Sequence, residues 1–130
     1  MAYNNSVTNT AGQLSAITTT IAYTDTSAVT IGTIPPNAQI VDINIDVTTA
    51  FNAATTNTVT VGKTGSAAAY VTSTSVGSAG RASVASTGVY SAWANVGTSD
   101  IDYATVTFSQ TGTAASAGAA RVTIVYKSLA

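Results

Sequence analysis

The chain has no cysteine, no histidine and no glutamate, and its 130 residues carry only four Lys or Arg against five Asp. Each absence removes a class of chemistry. Without His or Cys, zinc and haem lose their usual ligands and His-dependent nucleophilic catalysis loses its base. The expectation is therefore a protein that is not an enzyme, with no catalytic residues, no metal and no cofactor. The scattered cations Lys63, Arg81, Arg121 and Lys127 cannot neutralise a run of phosphates, which argues against a nucleic-acid partner. No stretch approaches the roughly 20 apolar residues of a membrane helix, so no membrane partner is expected. The opening Met1-Ala2-Tyr3-Asn4-Asn5-Ser6 lacks a basic region and a continuous apolar segment, and the expectation is synthesis in the cytoplasm without a secretory signal. The missing thiols leave the redox compartment open.

Charge is the scarcest property that remains. Charged residues make up 7% of the chain, against about 25% in an ordinary domain, and the formal net charge is -1. A surface this neutral gives little colloidal repulsion, and we read it as a surface that faces other protein. What the chain has instead is small and hydroxylated: Thr, Ala, Ser and Gly fill 73 positions. The length suits one domain with one core.

The apolar residues recur with a period of two. Over residues 39–51, Val41, Ile43, Ile45 and Val47 alternate with Asp42, Asn44, Asp46 and Thr48, which predicts a strand buried on the Val41 face. Pro35 and Pro36 supply a turn before it, separating it from a shorter run at 28–33. A first long strand is predicted over 14–24, with Ile17, Thr19, Ile21 and Tyr23 on one face. Further strands are predicted at 58–62 with Val59 and Val61 inward, 68–74, 82–85, 89–96, 101–109 and 119–127, with turns at 52–57 and 63–66. In the last two strands Ala104, Val106 and Phe108, then Val122, Ile124 and Tyr126, form the inward faces.

No segment has helical spacing, and the abundant Thr and Val are poor helix formers. The expected fold is all-β, an antiparallel β-sandwich over residues 14–130 with a jelly roll or related Greek key topology. Residues 1–13 read as an N-terminal arm ordered by contact. Poorly guarded strand edges suit an oligomer.

Candidate sites are few. Asp42, Asn44 and Asp46 share a strand face and Asp100 with Asp102 lies elsewhere, together suggesting calcium, but a spacing of about 7 Å per pair along a strand is too wide for the ligands to converge without help from loops. Two of these carboxylates could be paired as a glycosidase acid and base, with nothing else in favour. Gly62-Lys63-Thr64 ends like a phosphate-binding loop, yet Asn57 stands where that pattern needs its first Gly and no helix follows. The recurring Thr-x-Thr pairs lack the fixed repeat of an ice-binding surface. Trp93 either fills the core or anchors an interface. Tyr3, Asn4, Asn5 and Val7 in the arm, together with Trp93, are the candidate partner-binding residues. Trp93, Tyr90 or Tyr103 could alternatively form a stacking platform for a carbohydrate.

Ile34-Pro35-Pro36-Asn37-Ala38-Gln39-Ile40-Val41, then Val47-Thr48-Thr49-Ala50-Phe51-Asn52, Thr58-Val59-Thr60-Val61-Gly62 and Ser78-Ala79-Gly80-Arg81, together resemble a pattern of strand and turn residues in small structural proteins of tailed bacteriophages. The resemblance is to the decoration, or cement, proteins of the capsid. It covers about 50 residues, and residues 119–127 are compatible with the closing strand. It implies a β-sandwich that sits as a homodimer or homotrimer on the outer capsid surface of the virion and bridges subunits of the major capsid protein. A head-fibre or tail-associated role is the alternative within the virion, and a carbohydrate-binding module the alternative outside it.

Overall fold

A computed structural model of the chain describes residues 14–83 and 101–128. Eight strands make up the described fold: β1 (Leu14–Ala22), β2 (Val29–Ile34), β3 (Ala38–Thr49), β4 (Thr56–Lys63), β5 (Ser66–Ser75), β6 (Gly80–Ser83), β7 (Asp102–Thr111) and β8 (Ala119–Ser128). They form two antiparallel sheets of four, ordered β1-β8-β3-β6 and β2-β7-β4-β5. Within these orders the partners nest: β1 lies beside β8, β2 beside β7, β3 beside β6 and β4 beside β5. That nesting is the jelly roll, a long antiparallel ribbon rolled so that its two halves face each other. The all-β sandwich expected from the period of two is what forms. No helix occurs among the described residues, and none is therefore long and apolar enough to cross a membrane.

Alternation explains which side chains fill the space between the sheets. Ile43, Ile45, Val122 and Ile124 from one sheet meet Val59, Val61, Ala104 and Val106 from the other, all fully buried. Ile17 packs across the gap against Gly32 of β2, where even a methyl group would press on its side chain. Between β2 and β3 the chain changes sheet at the predicted proline turn. Pro36 is followed by Asn37 at φ 55°, the left-handed position that Asn tolerates in a turn opened by proline.

One register differs from the sequence reading. Val41 was expected inward with Ile43, but it is 39% exposed, and Ile40 is the buried residue. Opposite β8, Ile40 pairs with Tyr126 and Asp42 with Val125, so Val41 is an extra residue with no partner in the ladder. This bulge lets Ile40 and Ile43 both point inward although they are an odd number of residues apart. Smaller differences lie at element ends. β4 begins at Thr56, inside the stretch read as a turn, and β6 begins two residues earlier than expected. The strand predicted at 89–96 and the arm at 1–13 lie outside the described residues.

The two ends of the sandwich are held differently. At one end, side-chain amides stitch the loops. Asn52 Oδ1 accepts the N–H groups of Ser116 and Ala117 at 2.8 and 3.0 Å, Asn57 Oδ1 accepts from Ala53 N–H at 2.8 Å, and Gln110 Oε1 accepts from Ala115 N–H at 2.8 Å. Beneath them the rings of Phe51 and Phe108 pack at 4.6 Å. At the other end the closing group is ionic. The hydroxyl of Tyr70 donates to Asp102 Oδ2 at 2.6 Å, and Lys63 Nζ lies 3.4 Å from Asp102 Oδ1.

Candidate functional site

Among the described residues the two outward sheet faces are the broadest surfaces, and the alternation that built the core also sorted their chemistry. On the β2-β7-β4-β5 sheet the outward residues are hydroxylated. Register places Thr56 opposite Thr111, Thr58 opposite Ser109 and Thr60 opposite Thr107, with Thr30 opposite Thr105 at the β2 edge. The Thr56 and Thr111 hydroxyls lie 2.7 Å apart. None of these outward positions carries a charge. Part of the face is covered by the chain itself, because the backbone of Ser66 and Ala67 lies directly against Gly62. Thr105, the partner of Gly62 in the ladder, is buried.

The outward face of the β1-β8-β3-β6 sheet is mixed. Cross-strand rows can be read from the register: Leu14, Lys127 and Gln39; Ala16, Val125 and Asp42; Thr18, Thr123 and Asn44; Thr20, Arg121 and Asp46, with Arg81 beyond Asp46. Arg81 Nε donates to Asp46 Oδ1 at 2.6 Å. Asp42 Oδ1 accepts the N–H of Ile43 at 2.8 Å. Thr18 Oγ1 donates to the carbonyl of Val122 at 3.1 Å. Around Arg121 lies a surface depression of about 280 Å³ bounded by Thr20, Asp46, Thr48, Ala119 and Ala120. The bulge presents Val41 on this face beside the Ala16, Val125 and Asp42 row, and Leu14 at the next row is 61% exposed.

Set against this geometry, the residues singled out in the sequence separate into three groups. Tyr3, Asn4, Asn5, Val7, Tyr90 and Trp93 lie outside the described residues. Asp42, Asn44 and Asp46 do share a face, but Asp46 is engaged by Arg81 with Arg121 on its other flank, and Asp42 holds a backbone N–H of its own strand. No group of three His, Cys, Asp or Glu able to hold a metal ion occurs among the described residues. Tyr103 is 53% exposed on the hydroxylated sheet. Its neighbour Asp102 points the other way, with both oxygens committed to Tyr70 and Lys63. A stacking platform at Tyr103 therefore lacks the adjacent carboxylate that would orient a sugar.

Asp102 was noted in the sequence only as one of two nearby carboxylates. The structure makes it the hub that closes one end of the core. Burial of Tyr70, then its hydrogen bond to Asp102 and the negative charge there, push the phenol well above its ordinary pKa. No sequence signal links residues 63, 70 and 102, which meet because β4, β5 and β7 are neighbours in one sheet.

The residues that carried the resemblance are architectural. Ile34 to Val41 span the sheet-changing turn and the bulge, Phe51 and Asn52 build the stitched end, and Thr58 to Gly62 lie in β4. No protein-family model matches the chain, and no curated protein matches its sequence. Two solved structures match its fold. A chain of the cyanophage Pam1 capsid asymmetric unit superposes with a TM-score of 0.67 at 18% identity, over 98% of this chain and 92% of that one. A chain of the acid-stable capsid of Helicobacter pylori bacteriophage KHP30 superposes with a TM-score of 0.68 at 9% identity, over 92% and 91%.

Proposed function

We propose that this protein is a structural component of a bacteriophage virion that binds the outer surface of the capsid and cements it by bridging subunits of the major capsid protein. The observation that carries this reading is the extent of the fold match. Two chains from phage capsid structures share this jelly roll over at least nine-tenths of both lengths, so the likeness is to whole subunits and not to a module within something larger. The composition supports it independently, since a surface with so little charge suits a protein that spends its working life against other protein.

Cementing needs no catalytic group. A protein that binds the assembled lattice, and not its separated subunits, stabilises the lattice by the free energy of binding. Repetition around a symmetric shell then multiplies modest contacts. The fold suits this role: an apolar core between the sheets and amide-stitched loops at one end favour a subunit that keeps its shape when the shell is stressed.

The test is to mix the purified protein with capsids that lack it, sediment the mixture, and heat the particles with and without it. Saturating binding at a symmetry-related stoichiometry, with a raised disruption temperature, is expected. Protein that stays in the supernatant while capsid stability is unchanged refutes the reading. Light scattering of the isolated protein decides between monomer, dimer and trimer.

A further inference from the structure

The two outward faces offer a partner different chemistry, and among the described residues only one of them has charge without an ion-pair partner. On the β1-β8-β3-β6 face, Arg81 takes Asp46 as its ion-pair partner, and Arg121 on the opposite flank of Asp46 has no carboxylate within ion-pair distance among the described residues. Lys127, on the same face of the same strand, likewise has none among them. Six residues of strand place these two cations about 20 Å apart. Between their rows β8 contributes Thr123 and Val125, the neighbouring strands add Thr18, Asn44, Ala16, Asp42 and the bulged Val41, and Leu14 lies level with Lys127. The bulge is what turns Val41 to solvent, since regular alternation around Ile40 and Ile43 has no place for it. The face thus carries an apolar patch of Leu14, Ala16, Val41 and Val125 at its Lys127 end, with Arg121 beyond the polar row of Thr18, Thr123 and Asn44, and neither cation has a carboxylate partner among the described residues, a layout that offers a recognition patch apolar contacts and a charged rim.

We propose that this face is the docking surface for the capsid, and that its occupant is a segment of the major capsid protein bearing an apolar side chain flanked by carboxylates. The inference rests on the cement reading above and specifies its contact. Charge complementarity selects the occupant. Across the described residues of this face the cations Arg81, Arg121 and Lys127 outnumber the anions Asp42 and Asp46, although the whole chain is net negative. A second copy presenting the same face would bring cation towards cation. The guanidinium of Arg121, beside the depression bounded by Thr20 and Thr48, suits a bidentate carboxylate. Val41, Leu14 and Val125 supply the apolar contact. The hydroxylated face of the other sheet has no comparable charge to select a partner.

The experiment measures binding of the full chain to capsids lacking it, for wild type, Arg121→Glu, Lys127→Glu, Val41→Asp and, on the opposite sheet, Thr58→Glu. Thermal melts confirm that each variant is folded. Each change on the charged face is expected to weaken binding about tenfold or more, Thr58→Glu to leave it near wild type, and wild-type affinity to fall as salt rises. Wild-type binding that survives all three changes, or is lost only with Thr58→Glu, overturns the docking face while leaving the cement reading intact. A change in the oligomeric mass of free Arg121→Glu, with capsid binding retained, overturns the occupant in favour of a second copy. Wild-type protein that fails to bind capsids at all removes the cement reading and this inference with it.

Discussion

The hydroxyl of Tyr70 donates a 2.6 Å hydrogen bond to Oδ2 of Asp102, joining two residues 32 positions apart at one end of the core. Tyr70 is only 3% exposed, and Lys63 approaches the other oxygen of the same carboxylate. Buried hydrogen bonds to a charged acceptor are worth more than ordinary ones, so Tyr70→Phe is expected to cost about 2 kcal/mol near neutral pH, read by denaturant unfolding.

The same contact predicts an alkaline limit. In the unfolded chain Tyr70 ionises near its ordinary pKa of 10.0, whereas in the fold the proton is held to higher pH. Above that value the unfolded state binds fewer protons than the native state, and stability falls as pH rises. The contribution is fully present below pH 10.0 and is lost above it at about 1.4 kcal/mol per pH unit. Tyr70→Phe removes this dependence, so the stability gap between wild type and variant should narrow through the alkaline range. A gap that stays constant there would refute the assignment.

The bulge separates two residues that look equivalent in the sequence. Ile43→Ala empties fully buried space and is expected to cost about 3 kcal/mol. Val41→Ala removes an exposed side chain and should stay within about 0.5 kcal/mol. Deleting Val41 altogether brings the β3–β8 ladder into one register from Ala38 to Val47, and the deletion variant is expected to fold cooperatively. Equal destabilisation by the two alanine substitutions would mean that the strand is buried on the Val41 side after all.

Two glycines are held by close approach. A Cβ on Gly62 would collide with the backbone of Ser66 and Ala67, and one on Gly118, at φ 152°, would strike the ring of Phe51. Gly62→Ala forces backbone to move and Gly118→Ala adds strain to a displaced aromatic ring, so each should cost more than the about 1 kcal/mol by which glycine and alanine ordinarily differ. Gly65, with open space around it but φ 87°, isolates the conformational part and should cost less than either. Melting temperatures of the three alanine variants check the order.

Thr107 Oγ1 is buried without a hydrogen-bond partner among the described residues. Thr107→Val keeps the β-branched shape and removes the unsatisfied hydroxyl, and a gain of up to about 1 kcal/mol is expected. A loss of stability in that variant would show that the hydroxyl is satisfied in solution.

The sequence by itself determined the class of fold and most of the core. Alternation placed Val59, Val61, Ala104, Val106, Val122 and Ile124 inward because a strand must send successive side chains to opposite faces. The absence of His and Cys and the shortage of charge set the expectations about function before any coordinate was needed. Bulges were not legible, since an extra residue at Val41 leaves a local pattern that reads equally well as unbroken alternation. Nor was the company each surface residue keeps. That Asp46 is engaged by Arg81 while Arg121 has no carboxylate partner among the described residues, that Asp102 turns inward to Tyr70, and that the outward charges of the described strands gather on one sheet all depend on which strands lie side by side. Strand order follows from how the ribbon rolls, a long-range choice made by packing the two sheets against each other, and the local period of two carries no record of it.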